Sequence, residues 1–90
     1  MMKLKREEVY DIINEERKYQ DNKWGGILHD ESHSLSDWLT YIRKYLTDAD
    51  NGLFINDEKK ILSAIRKLTA LGVVVMELHG VPKRSEENDN

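Results

Sequence analysis

The sequence His29-Asp30-Glu31-Ser32-His33 places two histidines four residues apart with acids between them, close to the H-E-x-x-H pattern of zinc hydrolases. That chemistry needs both histidines on one turn of a long helix, facing a single metal, with a glutamate beside the bound water. Here the five residues follow Trp24-Gly25-Gly26 and precede a cap signal at Ser34, and the acid after the first histidine is aspartate. The expectation is therefore a loop in which Asp30, Glu31 and His33 are solvated or His33 packs against the start of a helix, with no metal and no catalytic residue assigned.

Two other groups have the right side chains for chemistry. Glu15 and Glu16, with Glu8 and Asp11 a turn or two earlier, offer oxygen ligands to a hard cation, although magnesium is normally held by several elements and not by one solvated face. Lys59, Lys60, Arg66 and Lys67, then Lys83 and Arg84, gather positive charge on and after the last apolar segment. Lys60 and Lys67, seven apart, fall along one side of a helix and could receive phosphate, although a solvated face is the more common reason for such a pair. Among the aromatic residues, Trp38, Tyr41 and Tyr45 sit at core spacing. Trp24 lies in a glycine-rich stretch outside any stripe, where it caps a pocket or closes a loop. There is no P-loop, no defensible Ser/His/Asp arrangement and no cysteine.

Three amphipathic segments must position these groups. Val9, Ile12, Ile13 and Tyr19 fall near one face of a helix over 5–22. A second helix, 35–50, carries Leu35, Trp38, Leu39, Ile42, Tyr45, Leu46 and Ala49 at three- and four-residue spacing, and Ser34 with Asp37 forms a capping box at its start. The third, 57–79, is capped by Asn56, keeps Ile61, Ile65, Leu68, Gly72, Val75 and Met76 on a stripe, and stops at Gly80 and Pro82. The β-branched run Ala70–Met76 is strand-like on propensity, but the stripe running through it from Ile61 makes it helical. Its apolar residues nearly surround the helix, so a partner subunit is expected to cover them. The connections are Lys23–His33 and the Asn-Gly segment 51–56.

At 90 residues, with five glycines, one proline and no disulfide, the chain has room for one small core. The expected architecture is all-α, a small bundle of three main helices over residues 1–82, completed by oligomerisation, with a disordered tail over 83–90. The charged start has no apolar signal region and the run Ala70–Met76 is too short to span a bilayer, so a soluble, cytoplasmic protein without a membrane partner is expected. A net charge of −3 with both signs interspersed gives no field for duplex DNA.

The segments INEERKYQDNKWG, HSLSDWLTYIRKYLTDA and LTALGVVVMELHG together resemble, in order and spacing, small phage-type proteins related to MazG, in the all-α nucleoside triphosphate pyrophosphohydrolase superfamily. The runs at residues 16–25 and 76–80 carry most of the likeness, which covers nearly all of the chain except the tail. The resemblance implies a magnesium site built from a Glu-x-x-Glu motif on one helix and a Glu-x-x-Asp motif on the next, with cleavage of a nucleoside triphosphate to monophosphate and pyrophosphate. Those motifs fall on Tyr45 and Asp48, and near Ala64 and Lys67, so only one of the four acids is present. A one-residue shift does not help, because no acid lies between Glu58 and Glu77. Lys67 would put a positive charge where the cation should sit, but an ammonium can bind phosphate directly.

The leading expectation is a non-catalytic phage-type accessory protein that binds a nucleotide or nucleotide-derived signal and sequesters a host defence signal in the host cytoplasm. Lys67, Arg66 and Lys60 would contact phosphate, with Trp24 or Tyr45 near the base, Asp48 in the same pocket, and no cofactor. One alternative is a magnesium-dependent pyrophosphohydrolase with an altered site that uses Asp48 with Glu15 and Glu16. Another is an interaction module in which the pocket is vestigial and an apolar patch binds a host protein.

Overall fold

The computed structural model describes residues 1–26 and 30–87, and among them every regular element is helical. Helices α1 (Arg6–Trp24), α2 (Leu35–Phe54) and α3 (Glu58–His79) are followed by a 3-10 turn, Arg84–Glu86. The expected all-α bundle is what the chain forms. Residues 83–87 of the expected tail are exposed.

Each helix begins with a side chain hydrogen-bonded to backbone amides at its N-terminal end. At α2 the capping box is the one predicted: Ser34 Oγ accepts from the Asp37 N–H at 3.2 Å, and the Asp37 carboxylate accepts from the Ser34 N–H at 2.9 Å. At α1 the Lys5 N–H donates to Glu8 at 3.0 Å. At α3 the cap is Asp57, which accepts from the Lys60 N–H at 3.0 Å, and not Asn56. Asn56 instead takes a left-handed backbone (φ 56°), which its short polar side chain tolerates better than most, and so turns the chain between the helices.

That turn lies later than the Asn-Gly signal suggested, because α2 continues through Asn51 and Gly52 to Phe54. Gly52 is buried where α3 begins: the Asp57 N–H donates to the Gly52 carbonyl at 2.8 Å, and a Cβ on Gly52 would stand 3.0 Å from Ile61 Cγ1 and 3.1 Å from its backbone nitrogen. The glycine is there to let α3 approach.

With this short connection α2 and α3 run antiparallel and share the main interface, while α1 packs on α3. The core is Trp38, Leu71 and Val74, with Trp24, Ile42, Tyr45, Val75 and Leu78 packed around it. Two stripes differ from expectation. On α3 the buried residues are Ala64, Ala70, Leu71 and Val74, whereas Ile65 and Met76 are exposed and Ile61 is half-buried against Gly52. On α1 the only buried residues are Arg17 and Gln20, and Tyr19 is exposed. Leu35, Leu39 and Leu46 of α2 also face out.

Candidate ligand-binding cleft

Trp24 is the last residue of α1, and Gly25 ends that helix in a left-handed conformation (φ 93°) with its N–H on the Asp21 carbonyl at 3.0 Å. This stop leaves the Trp24 ring beside α2 and α3. There it lines a cleft of about 310 Å³ with Trp38, Tyr41, Lys44 and Tyr45 from α2 and Leu71 from α3. The α2 residues recur at three- and four-residue steps, so they share one face.

Two ammonium groups attend the Tyr45 ring. Lys44 Nζ lies 4.6 Å from its centroid and Lys67 Nζ, coming from α3, lies 5.7 Å away. Both distances are within cation–π reach. Neither lysine makes an ion pair among the described residues.

The back of the cleft is an aromatic cluster. His33 meets Trp38 and Tyr41 edge-on, with centroids 5.2 and 5.3 Å apart, and Trp38 meets Tyr41 at 6.1 Å. Trp38 is only 2% exposed, and its indole N–H has no hydrogen-bond partner among the described residues. Next to it, the Asp37 carboxyl is held below its ordinary value, chiefly by the hydrogen bond from the Ser34 backbone and then by the Ser34 side chain, with His33 adding attraction.

The first connection is anchored by a buried arginine. Arg17 donates to Gln20 at 3.0 Å and to Asp21 at 3.0 Å, lies 3.5 Å from the Asp30 carboxylate, and reaches Glu77 of α3 at 3.4 Å. Asp30 is thus a buried ion-pair partner in helical conformation, its N–H on the Gly26 carbonyl, and not a solvated loop residue. His33 packs against α2, while His29 lies outside the described residues.

The six residues singled out in the sequence divide. Trp24 and Tyr45 line the cleft, and Lys67 reaches the Tyr45 ring from α3 without lining it. Asp48 is half-buried one turn beyond Tyr45 and does not line it. Lys60 and Arg66 line a separate groove of about 950 Å³ between α1 and α3, where Arg66 is paired with Glu16 at 2.7 Å. Lys44, Trp38 and Tyr41 were not assigned to the site, although the positions 38, 41, 44 and 45 mark them as one face. Arg17 also escaped notice, since nothing in its neighbourhood announces burial.

The positions where a MazG-type metal site would stand do face one another. Gly52 meets Ile61 and Tyr45 meets Lys67, and the antiparallel register between those contacts sets Asp48 level with Ala64. Only Asp48 of these supplies a carboxylate. Among the described residues no group of three or more histidines, aspartates or glutamates is gathered closely enough to hold a metal. The residues present therefore do not fit a family-type magnesium ion. No protein-family model, curated protein or solved structure matches the chain.

Proposed function

We propose that the cleft binds a nucleotide or nucleotide-derived anion and holds it without hydrolysis. The carrying observation is the Tyr45 ring with two unpaired lysines around it, at a cleft otherwise walled by Trp24, Trp38, Tyr41 and Leu71. A flat base gains about 1–3 kcal/mol by stacking on an aromatic side chain. The lysines supply point charges that attract phosphate with no metal between them. Two like charges drawn to one ring repel each other, and an anion would relieve that repulsion.

The placement of the carboxylates supports retention without turnover. Of the acids that an altered magnesium site would use, Glu16 is taken by Arg66 and Glu15 is exposed on α1, and no three histidines, aspartates or glutamates gather among the described residues. In this reading the phage-type likeness of the sequence gives the binding its sense: capture of a signal that a host makes from nucleotides.

The test is a thermal-shift and calorimetric screen against nucleoside mono-, di- and triphosphates and cyclic dinucleotides, with pyrophosphate release followed in the presence of magnesium. A specific ligand should stabilise the fold by about 2.7 kcal/mol at a hundredfold excess over its dissociation constant, with no pyrophosphate released. Pyrophosphate release that Asp48→Asn abolishes would establish the hydrolase instead. No stabilisation by any of the compounds would favour a protein partner.

A further inference from the structure

The groove between α1 and α3 lies apart from the cleft and is walled by Leu4, Val9, Ile12, Leu62 and Ile65, with Met1 and Met2 at one end. α1 fully buries only Arg17 and Gln20; Trp24 at its end packs on the core and Ile13 is half-buried, while Val9, Ile12 and Ile65 are each about two-fifths exposed (40, 38 and 42%). An amphipathic helix that leaves part of its apolar stripe in water gains less from burial, so a cover over Val9 and Ile12 would hold α1 more firmly than the lone chain does. The whole molecule shows the same deficit. Its accessible surface is 7294 Å², against about 5,500 Å² for a compact monomer of this mass. Its radius of gyration is 14.6 Å, against about 12 Å for a compact domain of this length. The exposed tail and the open groove both contribute to that excess.

We infer that this groove is covered by a second copy of the same chain, related by a two-fold axis that lays α1 of one copy along α3 of the other. Charge favours this occupant. On α1, Glu8 and Glu15 lie on the exposed strip that also carries Ile12, four residues before it and three after it. On α3, Lys59 and Lys60 line the groove and make no ion pair among the described residues. Within one chain α1 already meets α3 through an acid–base pair, Glu16 with Arg66, and the interface between copies repeats that pairing with Glu8, Glu15, Lys59 and Lys60, which make no ion pair among the described residues. A two-fold contact uses one patch twice, so each copy gives its acids and receives on its lysines.

Sedimentation velocity over a dilution series tests the arrangement. The native chain should sediment as a dimer, Ile65→Asp should shift it to monomer, and Lys59→Glu with Lys60→Glu should weaken association by about tenfold or more while leaving helical content intact. Adding Glu8→Lys and Glu15→Lys to that double variant should restore the dimer. Both lysines are exposed, so the charge variants decide the matter even if Ile65→Asp fails to fold. A native chain that stays monomeric at every concentration overturns the inference, as would be the case if the groove served an acidic helix of another protein. A dimer indifferent to the lysine reversals overturns it equally.

Discussion

At the scale of single residues, neighbours in sequence are pulled to different faces. Arg66 and Lys67 were grouped as one basic cluster, but consecutive helical positions point about 100° apart. Arg66 therefore goes to Glu16 on α1 and Lys67 to Tyr45 on α2. Lys67 and Tyr45 were legible because their helices are plain in the periodicity, and Trp24 because it stands outside the stripes, whereas nothing about Lys44 alone marks it off from helix surface. With the ligand found by screening, Lys67→Ala and Lys44→Ala should each weaken binding about tenfold, roughly 1.4 kcal/mol. Lys60→Ala should leave the affinity unchanged, and calorimetry reads all three. Arg17 makes a different point. Its burial was not visible in the sequence, because Arg-x-x-Gln-Asp also describes a solvated helix surface. Removing it strands the buried Asp30 carboxylate, so Arg17→Ala should destabilise the chain by about 3 kcal/mol in urea titration.

At the scale of elements, the existence and order of the helices were written plainly in the periodicity, and the cap at Ser34 was found to the residue. The turn between α2 and α3 was misplaced because Asn-Gly is a strong turn signal, and nothing local indicates that Gly52 serves close packing. The buried stripe of α3 was misjudged because the small Ala64 and Ala70 join Leu71 and Val74 on the buried face, while the larger Ile65 turns outward. Two glycines separate these effects. Gly72→Ala meets nothing within 4 Å and should stabilise α3 by about 0.5–1 kcal/mol. Gly52→Ala drives a methyl group into Ile61 and should destabilise by about 1 kcal/mol or more; thermal melts of the two variants should move in opposite directions. The cap of α2 also has a pH signature. Because the folded Asp37 carboxyl lies below its ordinary value of 3.8, its contribution is fully present above that pH and lost as pH falls through the folded value. Melts from pH 5 downward should show an acid limb that Asp37→Asn flattens.

At the scale of the whole molecule, the all-α class and the small core follow from length and periodicity, and the sequence also pointed to apolar surface in need of cover. What it could not show was where. The nearly all-round apolar character of Val73–Met76 drew attention to the end of α3, while the open groove lies at its beginning, against α1. Three-dimensional placement decides this, since Leu62 and Ile65 become surface only when Ala64 and Leu71 have been chosen as core.

The short hairpin connection at Ile55–Asp57 has a kinetic meaning as well. Contacts between α2 and α3 join residues close in sequence, so the loop that must close is small and the pair can form early. α1 joins across a much longer interval, chiefly through Arg17 to Glu77 and Glu16 to Arg66. The chain therefore divides into a fast-forming hairpin and a late-docking helix, two cooperative units of unequal stability. Native-state hydrogen exchange should find the amides of α1 opening at lower free energy than those around Trp38 and Leu71. If the two open together, α1 belongs to the same folding unit as the hairpin.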